Sequence, residues 1–270
     1  MAAPVLELTD ARLRYGDREL WSGLDLQVRA GEFLAVIGPN GTGKTSLLRA
    51  ILGQVTLTSG RIELLGQPVG RGNDRIGYVP QQKPLDQGTP IRARDLVAFG
   101  VNGRRWGLPH LSPAERRRVD EALDAVGATA YAKAPVASLS GGEQQRVRIA
   151  QSVVGNPALL LCDEPLLSLD LAHQRAVSEL IDEQRRRIDT AVVFVTHDVN
   201  PILGMVDRVL YLAGGQFRVG TPDEVLRSEV LSEMYGTTVD VFHSRGRIIV
   251  VGGPEGSEAH AHHIDEEKHA

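Results

Sequence analysis

Gly38-Pro39-Asn40-Gly41-Thr42-Gly43-Lys44-Thr45 fits the order G-x-x-x-x-G-K-[ST], with a third glycine, Gly41, inside it. Glycines without a Cβ let backbone amides wrap the β- and γ-phosphates of a nucleotide, and a helix N-terminus adds a favourable dipole. Lys44 would supply a cation to the β/γ oxygens, and the Thr45 hydroxyl can ligate Mg²⁺; Ser46 completes the phosphate cradle. A second group is Leu159-Leu160-Leu161-Cys162-Asp163-Glu164, an apolar run ending in two acids. Asp163 is placed to hold Mg²⁺, through water, and Glu164 to polarise an attacking water. A third is Thr196-His197-Asp198, where His197 can hydrogen-bond a γ-phosphate oxygen and the same water. A lone histidine is more often structural, but this one also follows an apolar run, Ala191–Val195.

Ser140-Gly141-Gly142-Glu143 is a fourth group. S-x-x-E is a capping box, with Ser140 as N-cap and Glu143 at the third helical position. A cap needs no glycine pair, however, and two glycines expose first-turn amides to another backbone or to phosphate. Capping and anion binding are compatible, and both are assigned.

These groups need a scaffold that brings them together. Leu24, Leu26 and Val28 alternate with polar residues, and Phe33–Ile37 is continuously apolar up to Gly38. Helical period runs from Gly43 to Leu52, with Gly53 as a stop, and strands resume at Arg61–Leu65 and Ile76–Val79. From Lys83 to Ser138, Pro84, Pro90, Pro109, Pro113 and Pro135 punctuate helical segments at Arg92–Phe99 and Ala114–Val126. This reads as a helical lobe inserted into an α/β core. A helix then runs to about Val154, followed by strand Ala158–Cys162, helix Leu171–Arg187 and strand Ala191–Thr196. The order βαβαβ indicates a mostly parallel sheet with helices on both faces, so Asp163 and His197 fall at carboxyl ends of strands, where ligands bind. Beyond Arg208 come strands at 208–212 and 216–219, a helix near 223–234 and strands at 239–243 and 247–251. No internal repeat is evident.

Composition bounds the function classes. The 270 residues suffice for a substantial core, and 42% hydrophobic residues are ordinary for a globular chain. A net charge of −4 gives no global argument for nucleic acid. The only cysteine, Cys162, lies in an apolar run, in keeping with a reducing cytosol. MAAPVLELTD carries two acids and no basic n-region, so no signal peptide is expected. The longest apolar runs, such as Ala158–Cys162, are five residues long, against the roughly 20 needed to span a bilayer.

Together, and in this order, these motifs resemble those of the ATPase subunits of ABC transporters, over nearly the whole length to about residue 251. Gly38–Thr45 is similar to the Walker A loop, Asp163 and Glu164 to Walker B, and Leu139–Gln145 to the family signature, the most discriminating of the set. The resemblance makes Tyr15 the aromatic that stacks on adenine, although an ordinary strand tyrosine is the alternative. Gln81, in Tyr78-Val79-Pro80-Gln81-Gln82, becomes the Q-loop glutamine that contacts Mg²⁺ and joins core to lobe; Gln82 is also a candidate, and the register after Pro80 favours Gln81. Ser168-Leu169-Asp170 corresponds to the D-loop, which brings Asp170 to the nucleotide, and His197 to the switch histidine.

The resemblance implies a fold and a mechanism. The fold is an α/β P-loop NTPase core with an N-terminal antiparallel β part and an inserted α-helical subdomain. One ATPase domain would span 1–251, with core 1–83 and 139–251 and helical subdomain about 84–138 plus the signature helix to about 154. A His/Glu-rich tail, 252–270, is expected to be disordered. Lys44, Gln81, Glu164 and His197 would catalyse ATP hydrolysis with Mg²⁺ held at Thr45, Gln81 and Asp163. Two copies would pack head to tail, the signature of one capping the γ-phosphate on the glycine loop of the other. The remaining partners implied are a polytopic membrane permease, which holds the subunit at the cytoplasmic face, and indirectly an extracytoplasmic solute-binding protein, with no nucleic acid. Lys83-Pro84-Leu85-Asp86, Arg94-Asp95-Leu96-Val97, Leu231–Gly236 and Val239-Asp240-Val241 are similar to the zinc/manganese uptake branch, and iron-chelate importers look alike here. A soluble assembly ATPase of the same family is a further alternative. A repair-type ATPase is not, because Leu139 lies only 95 positions after Lys44, without sustained heptads between. The tail holds His260, His262, His263 and His269 beside Asp265, Glu266 and Glu267, a loose Zn²⁺ site or simply a solvated tail.

Overall fold

The computed structural model describes residues 3–81, 91–102, 111–167, 169–244 and 246–252. Its centre is a six-stranded sheet, β10-β9-β3-β8-β7-β6. The strands are β3 (Phe33–Ile37), β6 (Ile76–Val79), β7 (Leu159–Asp163), β8 (Ala191–Val195), β9 (Arg208–Ala213) and β10 (Gln216–Gly220). Five run parallel, and β10 pairs antiparallel with β9 at the edge.

The three continuous apolar strands β3, β7 and β8 are each buried throughout, as strands covered on both faces must be. Alternation then divides their side chains. Phe33, Ala35, Leu160, Cys162, Val192 and Phe194 join one core, while Leu34, Val36, Leu159, Leu161, Val193 and Val195 join the other. The second core is closed by helix α1 (Lys44–Ile51) and by an antiparallel sheet, β2-β1-β4-β5. That sheet contains β1 (Leu6–Tyr15), β2 (Arg18–Val28), β4 (Ser59–Leu64) and β5 (Gln67–Pro68). The first core is closed by α4 (Gly141–Val153), α5 (Leu171–Ile188) and the helices α2 (Ala93–Asn102) and α3 (Pro113–Ala125).

Helices α2 and α3 pack on each other and on α4, and an Arg94–Asp120 ion pair ties α2 to α3. Ser112 caps α3 through a reciprocal capping box with Glu115. The last elements among the described residues are α6 (Pro222–Val225), α7 (Ser228–Tyr235) and a hairpin of β11 (Val239–Ser244) and β12 (Arg247–Gly252).

Two sequence expectations need correction. The single helix expected near 223–234 is two helices, because Leu226 leaves helical geometry (φ −88°, ψ 64°) and Arg227 is extended. Leu226 is buried by that break. Strand β1 was not expected because its alternation slips: Leu6 and Leu8 face the core, then Ala11 and Leu13, with irregular register between Leu8 and Ala11 and Asp10 at φ 45°. Lys83–Asp86, Ser168 and the 253–270 stretch of the expected tail lie outside the described residues.

The seam between β6 and α4 is tight. A Cβ at Gly77 would stand 2.3 Å from the Ser152 carbonyl oxygen and 3.0 Å from both Leu160 Cδ1 and Pro157 Cγ. Gly77→Ala is expected to destabilise the fold by about 1–3 kcal/mol, as overpacking does. Thermal unfolding should show a lowered midpoint, and an unchanged midpoint would contradict this packing.

Candidate active site

The glycine loop leaves β3 at the carboxyl end of the central sheet and turns into α1. Its first residue, Gly38, has φ 144°, and a Cβ there would lie 2.0 Å from the Leu212 carbonyl oxygen of β9. Only glycine fits that close approach of loop to sheet. Lys44 is 5% exposed, and its ammonium donates to the carbonyl oxygens of Gly38 at 2.6 Å and Pro39 at 2.8 Å. The loop thus folds around its own cation. Burial pushes the Lys44 ammonium below its ordinary range, opposed by the charges of Glu164 and Asp163. Thr42 Oγ1 donates to Pro39 O at 3.0 Å and closes the turn, while Asn40 and Gly41 face outward and Ser46 is half-buried on α1.

Asp163 is the last residue of β7 and is gripped from both sides. Thr45 Oγ1, on α1, donates to its Oδ1 at 3.3 Å, and Tyr78 OH, on neighbouring β6, donates to its Oδ2 at 3.2 Å. Burial first, then the Asp163 charge and this hydrogen bond, push the Tyr78 phenol up to about 12, so it stays a donor. A hydroxyl and a carboxylate this close are the hard oxygen donors that Mg²⁺ takes, keeping waters in its remaining positions. These residues fit that ion.

Glu164 follows at φ 46°, a left-handed turn rare for a side-chain-bearing residue, and its amide donates to Val195 O of β8 at 3.0 Å. Its carboxylate comes within 3.8 Å of His197 Nδ1. Glu164, Gln174, His197 and Asp198 contribute to the lining of a cavity of ≈ 80 Å³, space for a water. Lys44, Thr45, Asp163, Glu164 and His197 therefore meet at one end of the sheet.

Tyr15 ends β1, 47% exposed and paired with Arg18 across the turn. Arg18 Nη2 donates to Gly41 O at 2.9 Å, which fastens this hairpin tip to the glycine loop. Gln81 leaves the end of β6 with its side chain exposed, and Gln82 is outside the described residues.

The signature turn is a separate construction. Ser140 caps α4: its amide donates to Glu143 Oε2 at 2.8 Å, and the Glu143 amide donates to Ser140 Oγ at 3.4 Å. The Ser140 amide first, and then the Ser140 hydroxyl, which donates to the same Oε2 at 2.8 Å, hold the Glu143 carboxyl below its usual range. Gly141 has open space where a Cβ would be. At Gly142 a Cβ would lie 2.9 Å from the His173 ring, so this glycine admits a side chain of the same chain. His173 is bound in turn to Asp170, which caps α5: its amide donates to Oδ1 at 2.9 Å, and Nδ1 lies 2.7 Å from Oδ2. The His173 amide and then its ring hold the Asp170 carboxyl low.

Arg18, Tyr78 and His173 were missed in the sequence. Nothing local marks Arg18, whose contact depends on how two sheets stack. Tyr78 and His173 had readable signals, three residues before Gln81 and three after Asp170.

Comparison with known proteins places the chain in a family. The family model for ABC transporters matches residues 21–167. The zinc transport system ATP-binding protein TroB of Treponema pallidum is 31% identical over 260 residues, covering 96% of this chain and 94% of that protein. The manganese transport system ATP-binding protein MntB of Bacillus subtilis is 34% identical, covering 86% and 92%. The hemin import ATP-binding protein HmuV of Streptomyces coelicolor is 36% identical, covering 89% and 87%. Among solved structures, cbiO1 from Clostridium perfringens, part of the ABC transporter complex cbiONQ, superposes with a TM-score of 0.73 at 27% identity, covering 86% and 94%. The chain belongs to the ABC transporter family and is its ATP-binding, ATP-hydrolysing domain, with Mg²⁺ as cofactor.

Proposed function

We propose that the chain, as one ATPase domain spanning 1–251, powers a bacterial importer of a divalent metal ion, zinc or manganese. The observation that carries the hydrolytic part is the meeting of Lys44, Thr45, Asp163, Glu164 and His197 at one sheet end. In this reading the loop amides and Lys44 bind the β- and γ-phosphates, trading two backbone carbonyls for phosphate oxygens. Thr45, Asp163 and Gln81 hold Mg²⁺, which when bound offsets negative charge on the phosphates. Glu164 takes a proton from the attacking water, while His197, beside it, orients that water and the γ-phosphate. Tyr15 stacks on adenine.

Ser140, Gly141, Gly142, Glu143 and Asp170 act on the nucleotide of a second copy, so ATP bridges two chains head to tail and favours the closed dimer. The permease partner and the position at the cytoplasmic face follow from this assignment. Among the described residues no helix is long and apolar enough to cross a membrane, in keeping with a subunit held by a membrane partner. Glu164→Gln should slow ATP turnover by about 10²–10⁴-fold while ATP binding persists, and light scattering should find a dimer with ATP. A monomer under those conditions would count against the bridge. Lys44→Ala should weaken ATP binding by roughly 10–100-fold, the worth of a charged hydrogen bond, as read by calorimetry.

For the cargo, the names of TroB and MntB support zinc or manganese, and that of HmuV supports an iron-chelate importer as second reading. Deleting the gene should impair growth in chelator-treated medium, with rescue by zinc or manganese. Rescue by hemin alone would favour the second reading.

A further inference from the structure

The loop that carries His197 is knotted by its own side chains. Thr196 Oγ1 donates to Asp198 O at 2.8 Å and accepts from the Asp198 amide at 3.1 Å, so a closed turn flanks the histidine. Asp198 Oδ1 accepts from the Asn200 amide and from Asn200 Nδ2, both at 2.9 Å. Asn200 then reaches out of the loop. Its Nδ2 donates to Ile248 O at 3.0 Å, and its Oδ1 accepts from the Ile248 amide at 2.8 Å. The side chain pairs with β12 as a neighbouring strand would, through one N–H and its carbonyl, while the other N–H goes to Asp198.

The hairpin it grips is anchored elsewhere. Val241 and Val239 of β11 donate their amides to Ser228 Oγ and Ser232 Oγ of α7, each at 2.9 Å. The Tyr235 hydroxyl of α7 lies 2.8 Å from that of Tyr211 on β9. Val239 and Ile248 share a buried cluster with Val199 and Ile202 of the histidine loop. The hairpin is thus fixed to the central sheet independently of His197.

We propose that Asn200 is a positioning residue for hydrolysis, clamping the His197 loop to the β11–β12 hairpin and making that hairpin a working part of the site. This rests on the reading of His197 as a contact of the γ-phosphate and attacking water. Without the clamp, the loop spends less time in the competent arrangement, and turnover falls in proportion. Nucleotide binding, which belongs to the glycine loop, does not.

The test uses the full-length chain with Asn200→Ala and Asn200→Asp, reading steady-state ATPase rates, ATP affinity by calorimetry and amide hydrogen exchange. Asn200→Asp keeps an acceptor for the Ile248 amide but loses the donor to Ile248 O and sets a carboxylate beside Asp198. Asn200→Ala should lower kcat roughly tenfold, the worth of the two neutral hydrogen bonds to Ile248, and Asn200→Asp, which loses one of them, should lower it severalfold, both with ATP affinity within about twofold of wild type. Peptides covering 196–202 and 246–252 should exchange faster. Faster exchange with unchanged kcat overturns the proposal, as does unchanged exchange at the hairpin, or ATP affinity falling as far as kcat. A wild-type chain that hydrolyses no ATP, or a Glu164→Gln chain as active as wild type, overturns the underlying reading instead.

Discussion

A parallel sheet covered on both faces has no room for charge along its strands; polar groups can stand only where strands end. Here β3, β7 and β8 are buried from end to end, between α1 with the antiparallel sheet on one side and the helices on the other. The first polar positions after them are therefore crowded into one place: the glycine loop after β3, Asp163 and Glu164 at the tip of β7, Thr196 and His197 after β8. Register fixes their spacing, since β7 and β8 pair up to Asp163 opposite Val195. The site follows from burying the sheet.

Crowding charge at that edge has to be offset, and the chain does so with its own groups. Lys44 stands among carbonyls and two carboxylates, and Asp163 is held by Thr45 and Tyr78. None of these partners is irreplaceable: two are backbone carbonyls and two are hydroxyls, each of which exchanges readily for a phosphate oxygen, a cation or water. In the proposed site, a buried, already paired lysine and a buried, already paired aspartate would need little rearrangement to accept a nucleotide and its cation. That preorganisation is where electrostatic catalysis gains most.

Much of this was legible in the sequence because it is local. The glycine loop, the acidic strand end and the Ser140–Glu143 box each depend on neighbours within a few residues, and continuous apolar runs marked β3, β7 and β8 without ambiguity. What escaped depends on contacts made through space. The Arg18 grip on Gly41 and the Asn200 grip on Ile248 join segments 23 and 48 residues apart, with no periodic signal between them. Strand β1 escaped for a different reason, a mid-strand irregularity that shifts its alternation at Asp10. The sequence also read the signature glycines as room for another backbone or for phosphate, whereas Gly142 lies against the His173 side chain of the same chain.

That contact bears on how the proposed dimer would communicate. Asp170 lies seven residues beyond Asp163, caps α5, and holds the His173 ring against Gly142. The turn that ends β7 at Glu164 is thus linked through one short segment and one aromatic ring to the signature turn. In the proposed head-to-tail dimer each chain's signature would serve its partner's nucleotide, which would place this Gly142–His173 contact between the two sites. A Cβ at Gly142 would stand 2.9 Å from that ring, so glycine at this position is what lets the Asp170–His173 pair sit against the signature turn.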